Sequence, residues 1–329
     1  MTVKEKDIRS RDIQDRYLAL CEQDAAQWLA REAEFVEVDC PACASPDRRP
    51  AFVKQGYRYS LCGGCGTLYL SRRPTEAMLI EFNSTGRSAA YWAGEFYPQC
   101  AEKRRASVYA PRAGYVKELE GVYGKTFRRL VDVGTGYGVF VEELAKVFPG
   151  AEVKGVEPGA DLAAVCRTKG LDVFEGTAAQ AAAFRGRFDF ASCFEVLEHV
   201  FSPLALLEEV AALLGPGGVL FANTLGCEGF DIQVMWERHR NVYPINHINI
   251  LSIRGFQALF ERAGLGGVRV TTPGRLDVDI LRSQMAAEDR PRFLRTMFAR
   301  GDDALVARFQ QFLAENQLSS HVWVVAQKA

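Results

Sequence analysis

The run VDVGTGYGVF at 131–140 constrains the fold more than any other stretch: an apolar strand passes through Gly134, Gly136 and Gly138 into a helical pattern. Glycine suits such a junction because the chain must turn tightly and let backbone N–H groups approach a ligand. A dinucleotide fingerprint has the spacing G-x-G-x-x-G, with a pyrophosphate at the helix N-terminus. Here the third glycine follows the second by two residues, and Asp132 precedes the loop inside the strand. That favours a ligand whose charged end is not a pyrophosphate. Glu157, near the end of EVKGVEP (152–158), is placed to accept hydrogen bonds from both hydroxyls of a ribose, so loop and acid together read adenosine.

From 127 to 224 strand-like runs (RRLVDVG, EVKGVEP, LDVFEG, FDFASCF, GGVLFANT) alternate with helical segments from about 139, over 160–169 and over 203–214. This alternation predicts a parallel sheet of right-handed βαβ units. A helix over 253–263, a strand at GVRVTT and a last strand at 319–328 follow, with 283–315 expected as a helical insertion without chemistry. Upstream, 3–35 has helical periodicity, as one long amphipathic helix or two short ones, and 36–71 has β-like runs (FVEV, YRYSL, TLYL) broken by Cys, Pro and Gly. Residues 74–125 form a helical bridge whose Tyr91, Trp92, Phe96 and Tyr97 pack or make a lid. The expected division is an N-terminal module over 1–125 and a core over 126–329.

The 329 residues are 48% apolar and 25% charged, and no run approaches the ~18 consecutive apolar residues needed to span a bilayer. The polar start MTVKEKDIRSRD lacks the apolar run of a secretory signal, so a soluble cytoplasmic protein is expected, with no membrane partner. Lys and Arg total 40 against 41 Asp and Glu, and residues 1–125 hold 19 basic against 17 acidic side chains. Neither half offers a field for a polyanion, so no nucleic-acid partner is expected.

Cys40-Pro-Ala-Cys43 and Cys62-Gly-Gly-Cys65 give C-x2-C-x18-C-x2-C, the spacing of a four-thiolate zinc site. Four protein ligands close the coordination sphere, so structural Zn2+ is expected rather than a catalytic ion; the same spacing also suits iron. Ala44 and Gly66, after each pair, are expected to free backbone N–H groups for the thiolates.

These motifs together resemble the class I S-adenosylmethionine-dependent methyltransferases. Asp132 to Gly138 match their first motif, Glu157 their ribose acid, FDFASCFEVLEHV (188–200) their fourth-strand motif and LLGPGGVLFANT (213–224) the segment that follows. The resemblance implies an α/β, Rossmann-like seven-stranded methyltransferase sheet behind the helical and zinc-knuckle module, with S-adenosyl-L-methionine as cofactor. It puts Gly134 and Gly136 under the methionine part and Glu157 on the ribose. Thr177 and Ala178 would flank the adenine, and Phe194 and Glu195 the sulfonium side. Asp132 could hold the ammonium group.

Methyl transfer to a hydroxyl or carbon needs an aligned acceptor and a base for its proton. His199 ends EVLEH where ligands collect in open α/β sheets, and it either acts there or packs the following helix. His247 lies with Tyr243 in RHRNVYPINHINILS (238–252), as base or orienting group, or bonded only to backbone while Asn249 and Ser252 cap the next helix. The loop is similar to that of sugar C-methyltransferases, which also carry an N-terminal cysteine-rich module. Asn246 stands where they have Glu and the tyrosine spacing differs by one; their C-terminal domain is not expected here. His239 is expected to be solvated or a cofactor-distal neighbour of Arg238 and Arg240, His321 to be a core histidine, and Asp277 and Asp279 to bind hydroxyls or face water. The acceptor expected is a small hydroxyl-bearing molecule: a sugar, nucleotide sugar or glycan. The alternatives are a natural-product scaffold, or an RNA-directed methyltransferase or zinc-ribbon binding protein.

Overall fold

A computed structural model describes residues 11–329. Helix α1 (Arg11–Leu29) leads into a small β module: β1 (Val36–Glu37), β2 (Arg48–Lys54), β3 (Tyr57–Cys62), β4 (Leu68–Leu70) and β5 (Arg72–Arg73). The bridge comprises α2 (Glu76–Thr85), α3 (Arg87–Tyr91), α4 (Tyr97–Arg104) and α5 (Ala110–Tyr123), with single π-helical turns at Trp92–Phe96 and Arg105–Tyr109. The core alternates β6 (Arg129–Val133), α6 (Val139–Val147), β7 (Glu152–Glu157), α7 (Ala160–Thr168) and β8 (Val173–Glu175), then β9 (Phe188–Phe194), α8 (Pro203–Leu213) and β10 (Leu214–Leu225). It closes with α9 (Phe230–Met235), β11 (Asn249–Ile250), α10 (Ile253–Arg262), β12 (Leu265–Thr271), α11 (Asp277–Gln284), α12 (Arg292–Ala299), α13 (Asp303–Glu315) and β13 (His321–Lys328).

The main sheet has seven strands in the order β12-β13-β10-β9-β6-β7-β8. Strands β6 to β10 run parallel, and β13 runs antiparallel between β10 and β12. Parallel strands covered on both faces need near-continuous apolar sequence. Leu130 and Val131 of β6, Phe190 and Ala191 of β9, and Val219 to Ala222 of β10 supply it, all fully buried. Strand order reverses between β6 and β9, which opens the crevice at their carboxyl ends where ligands bind in such sheets. Local signals agree: Ser202 caps α8 by accepting from the Ala205 amide, and Pro203 occupies its first turn.

The module's own sheet, β11-β4-β3-β2, borrows β11 from beyond residue 126, with Asn249 opposite Tyr69. We retain 1–125 and 126–329 as the proposed division along the chain; in space, β11 crosses it. Strand β2 was not legible because Pro50 interrupts its sequence pattern. It lies at the sheet edge, where a missing N–H is tolerated, and the ladder shifts register between Pro50 and Phe52. The first helix ends at Leu29, short of the expected 35, and the expected residues 3–10 lie outside the described range. No helix among the described residues is long and apolar enough to cross a membrane.

Two expectations about polar residues are corrected. His239 is fully buried, not solvated, with Nε2 3.0 Å from Asp231 Oδ2. Burial alone would raise the Asp231 carboxyl, but His239, Ser320 and the Ile232 amide hold it below its ordinary range. Asp277 does not face water: it accepts from Gln310 Nε2 (2.6 Å), Ser319 Oγ (2.6 Å) and the Ser320 amide (2.7 Å), fastening α11 to α13 and β13. Asp279 pairs with Arg282. Breaking a buried pair strands the remaining partner, so Asp231→Ala should cost about 3–5 kcal/mol of stability in urea denaturation. An unchanged midpoint would show that the pair holds nothing.

Candidate functional site

The glycine loop joins β6 to α6 at the carboxyl edge of the sheet. Its form is fixed by the Gly134 and Thr135 amides, both donating to the Val156 carbonyl (2.9 and 3.2 Å). Asp132 anchors it from below, Oδ2 accepting from Thr135 Oγ1 (2.8 Å) and Oδ1 from Ser192 Oγ (2.6 Å). Burial pushes this carboxyl up to about 6, against the pull of those two hydroxyls. Gly134 is obligatory on two counts, since its φ is +76° and a Cβ would lie 2.6 Å from Val196 Cγ2. At Gly136, φ +54°, a Cβ would meet nothing within 4 Å, which leaves open space over the loop.

Glu157 ends β7 and bridges two amides: Oε2 accepts from Gly136 and Oε1 from Gly159, each at 2.8 Å. Thr177 is exposed in the turn after β8, capping the Gln180 amide, and Ala178 is buried beneath it. Phe194 packs into the core, its ring 4.7 Å from Phe140 and 4.8 Å from Phe221. Glu195 is left-handed (φ +55°), a conformation that costs energy in a non-glycine residue and clusters at functional sites. It accepts from Asn223 Nδ2 (2.6 Å) and lies 3.5 Å from Arg112 Nη2. Burial alone would raise its carboxyl, but His321, Arg112, Arg104 and the Asn223 amide hold it down to about 2.

His199, His247 and Tyr243 converge, although nothing in their spacing alone required it. The two imidazoles stand 4.9 Å apart, and the Tyr243 ring stacks on His247 at 4.5 Å. Each Nδ1 faces a backbone carbonyl, Asn246 for His199 (2.8 Å) and Asn241 for His247, so each Nδ1–H donates and the lone pair sits on Nε2. Burial, together with the neighbouring His199 and despite the Asn241 carbonyl, pushes His247 down to about 3. Ile245, between the loop's tyrosine and histidine, is also left-handed (φ +65°), an outlier for a β-branched residue.

Four site neighbours escaped the sequence reading. Tyr17 of α1 has its hydroxyl 3.3 Å from that of Tyr243, and accepts from Asn246 Nδ2 at 2.7 Å. Arg112 of α5 is buried with Nη1 unpartnered and its guanidinium 4.9 Å from the Phe194 ring centroid. Asn223 carries an unpartnered Oδ1. Glu198 is fully buried and neither carboxyl oxygen makes a well-formed hydrogen bond. Only Glu198 had a signal, standing beside His199 in EVLEHV. The aromatic bridge lies over the glycine loop: Tyr97 stacks on Tyr137 at 4.7 Å, and the Tyr137 hydroxyl donates to the Ala93 carbonyl. Trp92 and Phe96 pack on Tyr17.

The four cysteines meet as predicted by spacing. Cys40 and Cys65 sulfurs are 3.6 Å apart and Cys43 and Cys62 3.5 Å, far beyond a disulfide bond and close to the ~3.8 Å edge of a tetrahedron with 2.3 Å metal–sulfur bonds. The donor set fits a closed Zn2+ site. The amides of Ala44 and Gly66 donate to the carbonyls of Cys40 and Cys62, not to thiolates as expected; the Cys65 amide instead lies 3.3 Å from Cys62 Sγ. Ser252 does cap α10, and its Oγ lies 2.6 Å from the Cys65 carbonyl. Asn249 is no cap: it accepts from Arg73 Nη1 (2.9 Å) and donates to the carbonyls of Leu197 and Val200.

A carboxylate at the tip of β7, an open glycine cradle, and the unpartnered polar atoms of Arg112 and Asn223 close to Glu195 and Phe194 fit S-adenosylmethionine. This sheet and site define the class of S-adenosylmethionine-dependent methyltransferases. A methyltransferase-domain family matches residues 100–270, just over half the chain, and the chain belongs to that family. The ubiquinone biosynthesis O-methyltransferase of Pectobacterium carotovorum is 36% identical over 122 residues, 35% of this chain and 49% of that protein. Its counterpart in Vibrio parahaemolyticus is 37% identical over 125 residues, 35% and 50% of the two chains. The chain thus spans about half the length of these curated relatives. Among solved structures, a SAM-dependent methyltransferase from Archaeoglobus fulgidus covers 70% of this chain and all of its own at 16% identity and TM-score 0.46. Phosphoethanolamine N-methyltransferase 2 of Haemonchus contortus covers 65% and 52% at 19% identity and TM-score 0.43.

Proposed function

We propose that the protein methylates a hydroxyl oxygen of a small acceptor, a sugar or nucleotide sugar, bound between the aromatic bridge and the loop over 238–252. The observation that carries this reading is the convergence of His199, His247 and Tyr243 beside Glu195 at the sheet's carboxyl edge. Bound S-adenosylmethionine supplies an electrophilic methyl group on its sulfonium sulfur. The chain's part is to hold the two reactants in line and to receive the hydroxyl proton. Glu157 takes the ribose hydroxyls, Thr177 and Ala178 border the adenine, and Phe194 and Glu195 wall the sulfonium side. Asp132 steadies the loop through Thr135 and Ser192 and turns its charge toward the ammonium end. The Nε2 lone pairs of the two histidines face the acceptor, while Tyr17, Tyr243 and Asn246 offer hydroxyls and an amide to its remaining oxygens.

Two observations favour a second acceptor, a hydroxylated ring of a natural product. Tyr17, Trp92, Phe96 and Tyr243 form one aromatic cluster suited to a flat molecule. The relatives named above are O-methyltransferases of ubiquinone biosynthesis. Turnover with a panel of nucleotide sugars and of hydroxylated aromatic compounds separates the readings, and no turnover with either class would sink both.

The cofactor half has its own test. Glu157→Ala removes the acceptor of two ribose hydrogen bonds and should weaken S-adenosylhomocysteine binding about 10–100-fold by calorimetry. Equal affinity in wild type and variant would show that Glu157 does not bind the ribose.

A further inference from the structure

Glu198, His199 and His247 each present a side-chain donor atom, and these atoms lie within 4.8 Å of one another. Glu198 follows β9 in the EVLEH turn and is fully buried, with Glu195 and Thr224 as polar neighbours but no well-formed hydrogen bond at either oxygen. A buried carboxyl left without such bonds is costly, and native structures seldom keep one without a partner the coordinates omit. The two imidazoles have the arrangement that metal-ligating histidines share: Nδ1–H is pinned to a backbone carbonyl, which fixes the ring and leaves Nε2 free to ligate. The scaffold is rigid on both sides. Asn249 donates to the carbonyls of Leu197 and Val200, which flank Glu198 and His199, and Tyr59 donates to the His247 carbonyl at 3.0 Å.

We propose that these three side chains form a second metal site, separate from the cysteine quartet, for a divalent first-row transition ion. Two imidazoles and one carboxylate suit Mn2+, Fe2+, Co2+ or Zn2+ rather than Ca2+ or Mg2+, and three protein ligands leave adjacent positions open. Resting on the acceptor reading above, those positions would take an acceptor with two neighbouring oxygens. A vicinal diol of a sugar and that of a hydroxylated ring meet the requirement equally. The ion would then hold the hydroxyl that the bare imidazoles were assigned.

The full chain, with zinc retained in the cysteine quartet, is titrated with Mn2+ and followed by electron paramagnetic resonance. Mn2+ disfavours four thiolates, so it reports the second site alone. One bound equivalent is expected. Glu198→Gln and His247→Asn should each weaken it at least about tenfold, with zinc content and S-adenosylhomocysteine affinity unchanged as proof of folding. If one variant fails to fold, the other carries the test. No Mn2+ uptake, or uptake indifferent to both substitutions, overturns the site. Full turnover with the second site stripped by chelator would overturn the ion's role while leaving the methyl-transfer reading intact. Mn2+ uptake without turnover on any hydroxyl acceptor would support the site and sink that reading instead. Diol-induced changes in the Mn2+ signal, compared between a nucleotide sugar and a catechol, tell the two acceptor sources apart.

Discussion

His247→Ala is expected to lower kcat by about 10²–10⁴-fold while leaving S-adenosylhomocysteine affinity nearly unchanged. The side chain stands in the loop over 238–252, its ring clamped between Tyr243 and His199 and its Nδ1 tied to the Asn241 carbonyl. Removing it deletes an oriented lone pair without touching the glycine loop or Glu157. His199→Ala should lose a comparable factor, and the double variant little more than either, because residues acting as a unit are not additive. Tyr243→Phe keeps the stacked ring and loses only the hydroxyl near Tyr17, so its effect should be the smallest of the three. A rise in KM with kcat unchanged for His247→Ala would reduce that histidine to an acceptor-binding group.

The second large effect is expected from the cysteine quartet. Stripping its metal, or replacing Cys62 with Ser, should lower the melting temperature by about 7 °C, the equivalent of roughly 5 kcal/mol for a chain of 329 residues. Structural zinc is worth more than that in isolated metallo-domains, but here the module also leans on the core. Arg262 donates to the Ala42 carbonyl (2.6 Å), Ser252 Oγ lies against the Cys65 carbonyl, and Cys227 Sγ is 3.4 Å from the Gly66 carbonyl. Activity should fall with the metal, because the Ile248 carbonyl, next to His247, accepts from the Leu70 amide of the module. A melting curve unmoved by quantitative metal removal would show that the cysteines staple nothing.

The glycine loop, the acid after it and the sheet they sit on were legible because their residues are held by local rules. Glycines with positive φ, an acid at a strand tip and a Pro-Gly-Gly turn each solve a backbone problem that sequence displays. The proposed acceptor half depends on long-range placement. Nothing distinguishes Tyr17 from the other aromatics of an amphipathic helix, or Arg112 from the chain's other basic residues. Both matter because α1 delivers Tyr17 to a loop more than two hundred residues away and α5 delivers Arg112 to Glu195, 83 residues on. His239 was misjudged for the same reason: flanking arginines suggest solvent, yet Asp231 on α9 draws the ring inward. Asn249 reads as a cap by position, but Arg73, buried and reaching it from β5, makes it a hub.

The borrowed strand β11 also dictates the order in which the protein can be completed on the ribosome. Arg73 and Asn249 are 176 residues apart in the chain, and β4 pairs with a strand of that same late segment. During synthesis the edge of β4 stays open until most of the core has emerged, a pairing of high contact order and an exposed template for other chains. Release of the cysteine module as a stand-alone fragment, or truncation before β11, should therefore yield aggregation rather than a folded domain.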